Sequence, residues 1–307
     1  MNEYLIKAGR YSATILDQGA ILYSFKIDDK DIILEFDDVT ENERTHGYFS
    51  QVVGPFANRI KAGRYTLDGA LYQADKNNGK NNLHSGSRNY GWQKWTLVAK
   101  SDDSVTLSLH SPEGAGFPGN QDVEITYTIN EDGALKLHYS IVSDKKCPVN
   151  LTNHAFFNLN STGLITDHEL YMPSLHYIDV DSELIPTTIK ETKGTDFDFT
   201  TVHAIGERRG GSYDHCFILD GDGDIKVTNG KLTLRVKTDL PAVQLYTSGS
   251  LNEGFVGKGG SEMGPHMAFC LETEFYPDFP NRPDFKSCYL TPGVKYETET
   301  TYILSEN

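Results

Sequence analysis

The sequence predicts an all-β fold, a large antiparallel two-sheet β-sandwich forming one domain over residues 1–307. Three observations predict it. Apolar and polar residues alternate with period 2 in one short segment after another, the pattern of pleated strands. Turn formers separate those segments, since the chain holds 28 Gly and 12 Pro, while its 17 Tyr and 15 Phe suit strands. No stretch sustains the 3.6-residue apolar period of a helix, and no repeat, linker or composition shift marks a second domain.

In order along the chain, residues 4–7 and 11–16 read as strands around a Gly-Arg turn. Residues 20–27 form a third, closed by the turn 28–31, and 32–36 a fourth. Residues 37–46 are acidic and polar, and read as a loop. The apolar run 48–53 leads into Gly54-Pro55-Phe56-Ala57-Asn58-Arg59-Ile60. Residues 63–72 read as a hairpin, because Asp68-Gly69 accepts the backbone angles of a tight hairpin turn. The polar loop 75–82, with Asn77, Asn78, Asn81 and Asn82, ends at Leu83-His84-Ser85-Gly86. Strands follow at 92–99, 104–110, 123–129 and 135–142, the last entered through the turn 131–133. Others are expected at 168–172, 175–180, 216–219, 231–237, 242–247, 286–290 and 297–304, with a Gly/Asp turn at 220–224.

The segment from Met267 to Glu272 is distinctive. Both of its faces are apolar until Glu272, which predicts a strand covered on both sides. Ala268 and Cys270 on one face leave room in front of the carboxylate. Pro277 and Asp278 then turn the chain.

The formal net charge of −15 repels nucleic acid and anionic membranes and gives no help with a strongly anionic substrate. No run approaches the roughly 20 apolar residues of a membrane-spanning helix. Cys147, Cys216, Cys270 and Cys288 show no CxxC spacing, and the N-terminus does not read as a secretory leader. A cytoplasmic protein with reduced thiols, monomeric or homodimeric, is the expectation.

The residues able to carry chemistry are Asn58-Arg59, His84, Asn153-His154, Asp214 and Glu272, each at the end of a strand-like segment. Each also has a purely structural explanation: a core histidine at His154, loop polarity at His84, a salt bridge at Arg59, a turn at Asp214. Glu272 resists one, because an unpaired carboxylate on a doubly apolar strand costs several kcal/mol. No HxH, HExxH or Cys/His cluster gives metal-ligand spacing, and no phosphate loop or Gly-x-Ser-x-Gly elbow occurs, so neither a metal nor a cofactor is expected. What remains is proton transfer between a carboxylate and an imidazole, whose ordinary pKa values of about 4.3 and 6.5 bracket a useful range once burial raises the Glu. Asn, Arg, His and Asp side chains suit a polyhydroxylated ligand, and Phe156, Phe157 and Tyr276 suit the apolar face of a sugar ring.

The motifs carrying these residues resemble, in order along nearly the whole chain, those of the aldose 1-epimerase (galactose mutarotase) family. Gly54–Ile60 is similar to G-x-x-A-N-R-I, and Leu83-His84-Ser85-Gly86 with Trp95 to L-H-G-G followed by a Trp segment. Residues 150–159 resemble N-L-T-N-H-S-Y-F-N-L, and 195–199 and 213–215 resemble T-P-F-D-F and Y-D-H. Residues 244–247 resemble Q-x-Y-T, and Leu271-Glu272-Thr273 with Pro277, Asp278 and Asn281 resembles L-E-T-Q followed by P-D-x-x-N. The close, Pro292-Gly293-x-x-Tyr296, resembles P-G-x-x-Y.

The resemblance implies a galactose mutarotase-like supersandwich, no cofactor, a free sugar as the only partner, and interconversion of the α and β anomers of a free aldohexose. It implies Glu272 as the base at the C1 hydroxyl and His154 as the acid at the ring oxygen. Asn58, Arg59, His84, Asp214 and Gln244 would hold hydroxyls, with Phe156 on the pocket wall. The sequence departs from the family at Pro55, Phe56, Ser85, Ala155 and Phe156, the last two removing hydroxyls from the expected wall. Glu274 stands where the pattern has Gln, and a second carboxylate sharing a face with Glu272 would raise the first one's pKa. Two other functions are compatible with these residues: a sugar-binding protein of low activity, and a glycoside hydrolase using Glu272 and Asp214. A phosphosugar epimerase is disfavoured by the acidic balance.

Overall fold

The alternation in the sequence becomes one-sided burial. Along Gln121–Ile129, Val123, Ile125, Tyr127 and Ile129 are buried while the residues between them are exposed or half-exposed. In this computed structural model, which describes all residues except His46, Asp222, Asn252 and Glu253 and not the side chain of Glu43, such strands assemble antiparallel ladders. The largest sheet has nine strands in the order Thr96–Lys100, Ser104–Ser111, Gln121–Ile129, Ala134–Ser143, Tyr296–Glu306, Leu232–Thr238, Ile225–Thr228, Glu169–Tyr171 and His203–Ala204. A five-stranded sheet runs Pro186–Glu191, His176–Val180, Asp214–Ile218, Ala242–Tyr246 and Cys270–Glu274.

The two sheets face each other across the core. Thr273 of the smaller sheet shares a buried 2.6 Å hydroxyl–hydroxyl hydrogen bond with Thr300 of the larger. Phe157 stacks edge-on against Tyr302 at 5.0 Å. A four-stranded N-terminal sheet, Glu3–Ala8, Tyr11–Leu16, Leu22–Ile27 and Lys30–Asp31, packs on the same core, and the Tyr127 hydroxyl donates to the Ala20 carbonyl at 2.7 Å. Fold class and sandwich arrangement match the sequence prediction.

Several elements differ in detail. The expected strand from Met267 begins at Cys270, because His266 takes a left-handed φ of 58° and the chain bends there. Residues 32–36 form no ladder; Ile33 and Phe36 make single bridges to Phe157 and Gly257. The expected loop 37–46 holds a short helix, Glu41–Thr45. The edge strand Pro186–Glu191 carries almost wholly exposed side chains, so it leaves no alternation in the sequence. The strand expected at 286–290 shrinks to Tyr289–Leu290. His46, at the end of the expected loop, and Asp222, inside the expected turn 220–224, lie outside the described residues.

Candidate active site

Three kinds of scaffold aim side chains at one place. On the five-stranded sheet, Glu272 pairs with Gln244 and Gln244 with Cys216, so Gln244 and Glu272 project side by side from one face. Asp214 joins them from the next strand, its Oδ1 accepting from Gln244 Nε2 at 2.5 Å. His154 follows the two-residue ladder of Val52–Val53 with Thr152–Asn153, its backbone tied by His154 N to Gln51 O (3.0 Å) and Ser50 N to His154 O (2.9 Å). Arg59 and His84 flank the ladder of Arg59–Ile60 with Asn82–Leu83.

One cavity of about 240 Å³ is lined by Asn58, Arg59, His84, His154, Phe156, Asp214, Gln244 and Glu272. These eight residues, all singled out in the sequence, thus share a single site, whereas Asn153 does not line it and donates to the Ser50 carbonyl and the Tyr127 hydroxyl. Phe157 and Tyr276, also expected to serve the sugar, do not line it: Phe157 is buried between the sheets and Tyr276 packs on Phe285.

At its centre His154 Nε2 stands 3.5 Å from Glu272 Oε1, both side chains nearly inaccessible. Glu272 Oε2 and His154 Nδ1 have no hydrogen-bond partner among the described residues. Burial pushes the Glu272 carboxyl well above its ordinary range, the neighbouring Glu274 and Asp214 add to this, and Arg59 opposes it. Burial pushes the His154 imidazole down to about 4. Both shifts favour the uncharged forms, so burial favours the pair with its proton on Glu272.

His84 is held differently. The Asn58 backbone N–H donates to His84 Nδ1 at 3.0 Å. A backbone N–H only donates, so Nδ1 carries the lone pair and the ring proton sits on Nε2. Burial keeps this imidazole neutral, well below its usual range. His84 therefore offers the cavity a fixed N–H donor. This decides the question of a metal. Donor atoms of His84, His154 and Glu272 lie within 4.8 Å of one another. A metal-bound histidine donates its other ring N–H to a neighbour, and His84 accepts there instead, so the trio does not fit a cation.

Arg59 is placed by Asn78, whose Oδ1 accepts from Arg59 Nε at 3.1 Å, and reaches Asp214 Oδ2 at 4.0 Å. Asp214 thus accepts from Gln244 on one oxygen and faces the Arg59 guanidinium at 4.0 Å with the other. That suits holding a hydroxyl better than delivering a proton, as a hydrolase pairing with Glu272 would require. Phe156 stacks on His154 at 5.1 Å and on Phe49 at 4.0 Å, fixing the imidazole plane.

Of the departures from the family pattern, only Phe156 lines the cavity. Phe56 packs on Phe279 at 5.0 Å, Ala155 is in the core, and the Ser85 hydroxyl accepts from Phe56 N (2.8 Å) and donates to Phe56 O (3.0 Å). The expectation that both Ala155 and Phe156 remove hydroxyls from the wall is therefore corrected to Phe156 alone, because Phe156 lines the cavity beside His154 while Ala155 is buried in the core. Reading the sequence missed Tyr48, whose ring lies 4.6 Å from His84 and 6.2 Å from His154, and Asn78, Tyr246, Leu251 and Phe255. The cluster of Asn in 75–82 and the Q-x-Y-T motif at 244–247 were the signals that could have found Asn78 and Tyr246.

The sequence matches the aldose 1-epimerase family profile over residues 2–303. The chain belongs to the aldose 1-epimerase family. It is 33% identical to a galactose mutarotase of Sus scrofa, covering 99% of this chain and 94% of that one. It is 35% identical to an aldose 1-epimerase of Escherichia coli strain K12, over 81% of this chain and 78% of that one. The fold matches the crystal structure of an aldose epimerase homologue from C. elegans with a TM-score of 0.92 at 28% identity, covering 99% of both chains. As a member of the family the chain is an isomerase that interconverts the anomers of a free sugar.

Proposed function

We propose that this aldose 1-epimerase acts on a neutral free aldohexose such as galactose or glucose, with Glu272 as base and His154 as acid. The observation that carries this is the buried 3.5 Å contact between His154 and Glu272, both of which line the cavity. The pair works with one shared proton. A C1 hydroxyl donating to Glu272 lowers its proton affinity, and a ring oxygen accepting from His154 raises that of the imidazole. Substrate contacts therefore drive the proton from Glu272 to His154. Glu272 then takes the C1 hydroxyl proton, His154 protonates the ring oxygen, and the C1–O5 bond breaks to the open aldehyde. At that point Glu272 holds a proton and His154 is neutral, the state that burial favours, so the site is electrostatically matched to the open-chain intermediate. Rotation about C1–C2 and reversal of both transfers give the other anomer.

Arg59, the His84 Nε2–H, Asp214, Gln244 and Asn58 supply donors and acceptors for hydroxyls, and Phe156 an apolar wall. Polarimetry on freshly dissolved α-galactose and α-glucose tests this. The wild type should speed anomerisation of both; saturable sugar binding with no acceleration would assign the protein to binding alone. A monomer or homodimer in the cytoplasm is proposed with it, supported by the four free thiols; size-exclusion with light scattering tests the assembly.

A further inference from the structure

Behind the cavity wall lies Glu274, two residues beyond Glu272 on the same strand and so on the same face, about 7 Å along. It is 0% exposed and does not line the cavity. Its Oε1 accepts from Asn58 Nδ2 at 3.1 Å and its Oε2 from Asn150 Nδ2 at 3.4 Å. Neither amide is free to turn over: Asn58 Oδ1 accepts the Arg59 N–H at 2.8 Å, and Asn150 Oδ1 the Phe275 N–H at 2.7 Å. Asn58 itself is left-handed, φ 65°, a conformation Asn reaches more readily than other non-glycine residues. The same Asn58 donates its backbone N–H to His84 Nδ1.

We propose that Glu274 is a positioning residue for the epimerase reaction: it clamps the left-handed turn at Asn58, through it fixes the His84 tautomer, and stands as a like-charge neighbour behind Glu272. This rests on the assignment of Glu272 as base. The other groups facing Glu274 are Asp214 and the Cys216 thiol from the Asp214–Ile218 strand, with Arg59 as the cation beside Glu272 and Asp214. Three carboxyls against one guanidinium do not all ionise easily, so each ionisation makes the next harder. Burial pushes the Glu274 carboxyl up to about 8, and its charge, once formed, raises the Glu272 carboxyl further and delays loss of the proton the catalytic pair needs.

The family pattern has Gln at this position, and Gln keeps an acceptor for Asn58 without the charge. The test is kcat/KM for α-galactose from pH 5 to 10 in the wild type, Glu274→Gln, Glu274→Ala and Glu272→Gln, with ¹⁵N NMR of the His84 ring. Glu274→Gln should keep the plateau within about threefold and move the alkaline limb down by about one to two pH units. Glu274→Ala should also lower the plateau about tenfold or more and let the proton move to His84 Nδ1. An alkaline limb in Glu274→Gln that coincides with wild type, beside an inactive Glu272→Gln, overturns this inference alone. Full activity in Glu272→Gln overturns the base assignment and this inference with it. If the Ala variant fails to fold, the Gln profile still decides.

Discussion

Replacing Glu35 by Gln should stabilise the protein at alkaline pH. Glu35 is 0% exposed. Its Oε1 accepts from the Phe36 N–H at 3.0 Å and from Asn42 Nδ2 at 3.2 Å, while Oε2 has no partner among the described residues. Burial pushes its carboxyl from 4.5 up to about 8. Between those values the folded chain binds a proton that the unfolded chain does not, so stability falls as pH rises through that window. At 1.36 kcal/mol per pH unit the interval from 4.5 to about 8 corresponds to on the order of 5 kcal/mol, lost in full only above pH 8. Gln keeps the acceptor for Phe36 and Asn42 and never ionises. The advantage of Glu35→Gln over wild type should therefore grow by about 3 kcal/mol between pH 6 and pH 9 in urea unfolding followed by tryptophan fluorescence. The link to function runs through Asn42, which also accepts from Phe49 N at 2.8 Å and donates to Phe49 O at 3.4 Å, seating the Tyr48-Phe49 segment against the cavity. A stability difference that stays constant from pH 6 to 9 would refute the account of Glu35 as a buried neutral acid.

Other outcomes follow from the same contacts. His215 accepts from the Asp214 N–H at 3.2 Å and packs on Phe197 at 4.7 Å, and burial pushes it from 6.5 down to about 4. Its contribution is complete above pH 6.5 and lost as pH falls toward 4. The wild-type advantage over His215→Asn should thus shrink by about 3 kcal/mol between pH 7 and 4; no change in unfolding midpoints would contradict that. Phe156→Ala opens a cavity beneath His154 and should cost about 3–5 kcal/mol of stability. It should also reduce kcat at a temperature where it remains folded, and an unchanged kcat would remove the stacking role assigned to Phe156.

The sequence made the sandwich legible because most strands are half-buried, and half-burial writes a period-2 pattern. It hid Pro186–Glu191, whose side chains almost all face water, and the helix Glu41–Thr45, whose five residues are too few for a helical period. Glu272 was legible on cost alone, as a carboxylate on an apolar strand. Its partnership with His154 was not, since 118 positions separate them and the contact exists only once two ladders meet (272 − 154). The tautomer of His84 depends on where one backbone N–H points, which no residue pattern encodes. Tyr48 and Leu251 line the cavity by virtue of loop paths and Phe255 from a two-residue ladder, and all three look like ordinary core residues in the sequence.

The central claim is that His154 and Glu272 act as one proton-sharing unit. It is tested most directly by single-turnover ¹H NMR of α-galactose anomerisation in Glu272→Gln, His154→Asn and the double variant. Each single change should lower kcat by about 10²–10⁴, and the double change should add little further, because residues that act together do not lose activity additively. Wild-type kcat in Glu272→Gln, or losses in the double variant that multiply as for independent groups, would contradict it.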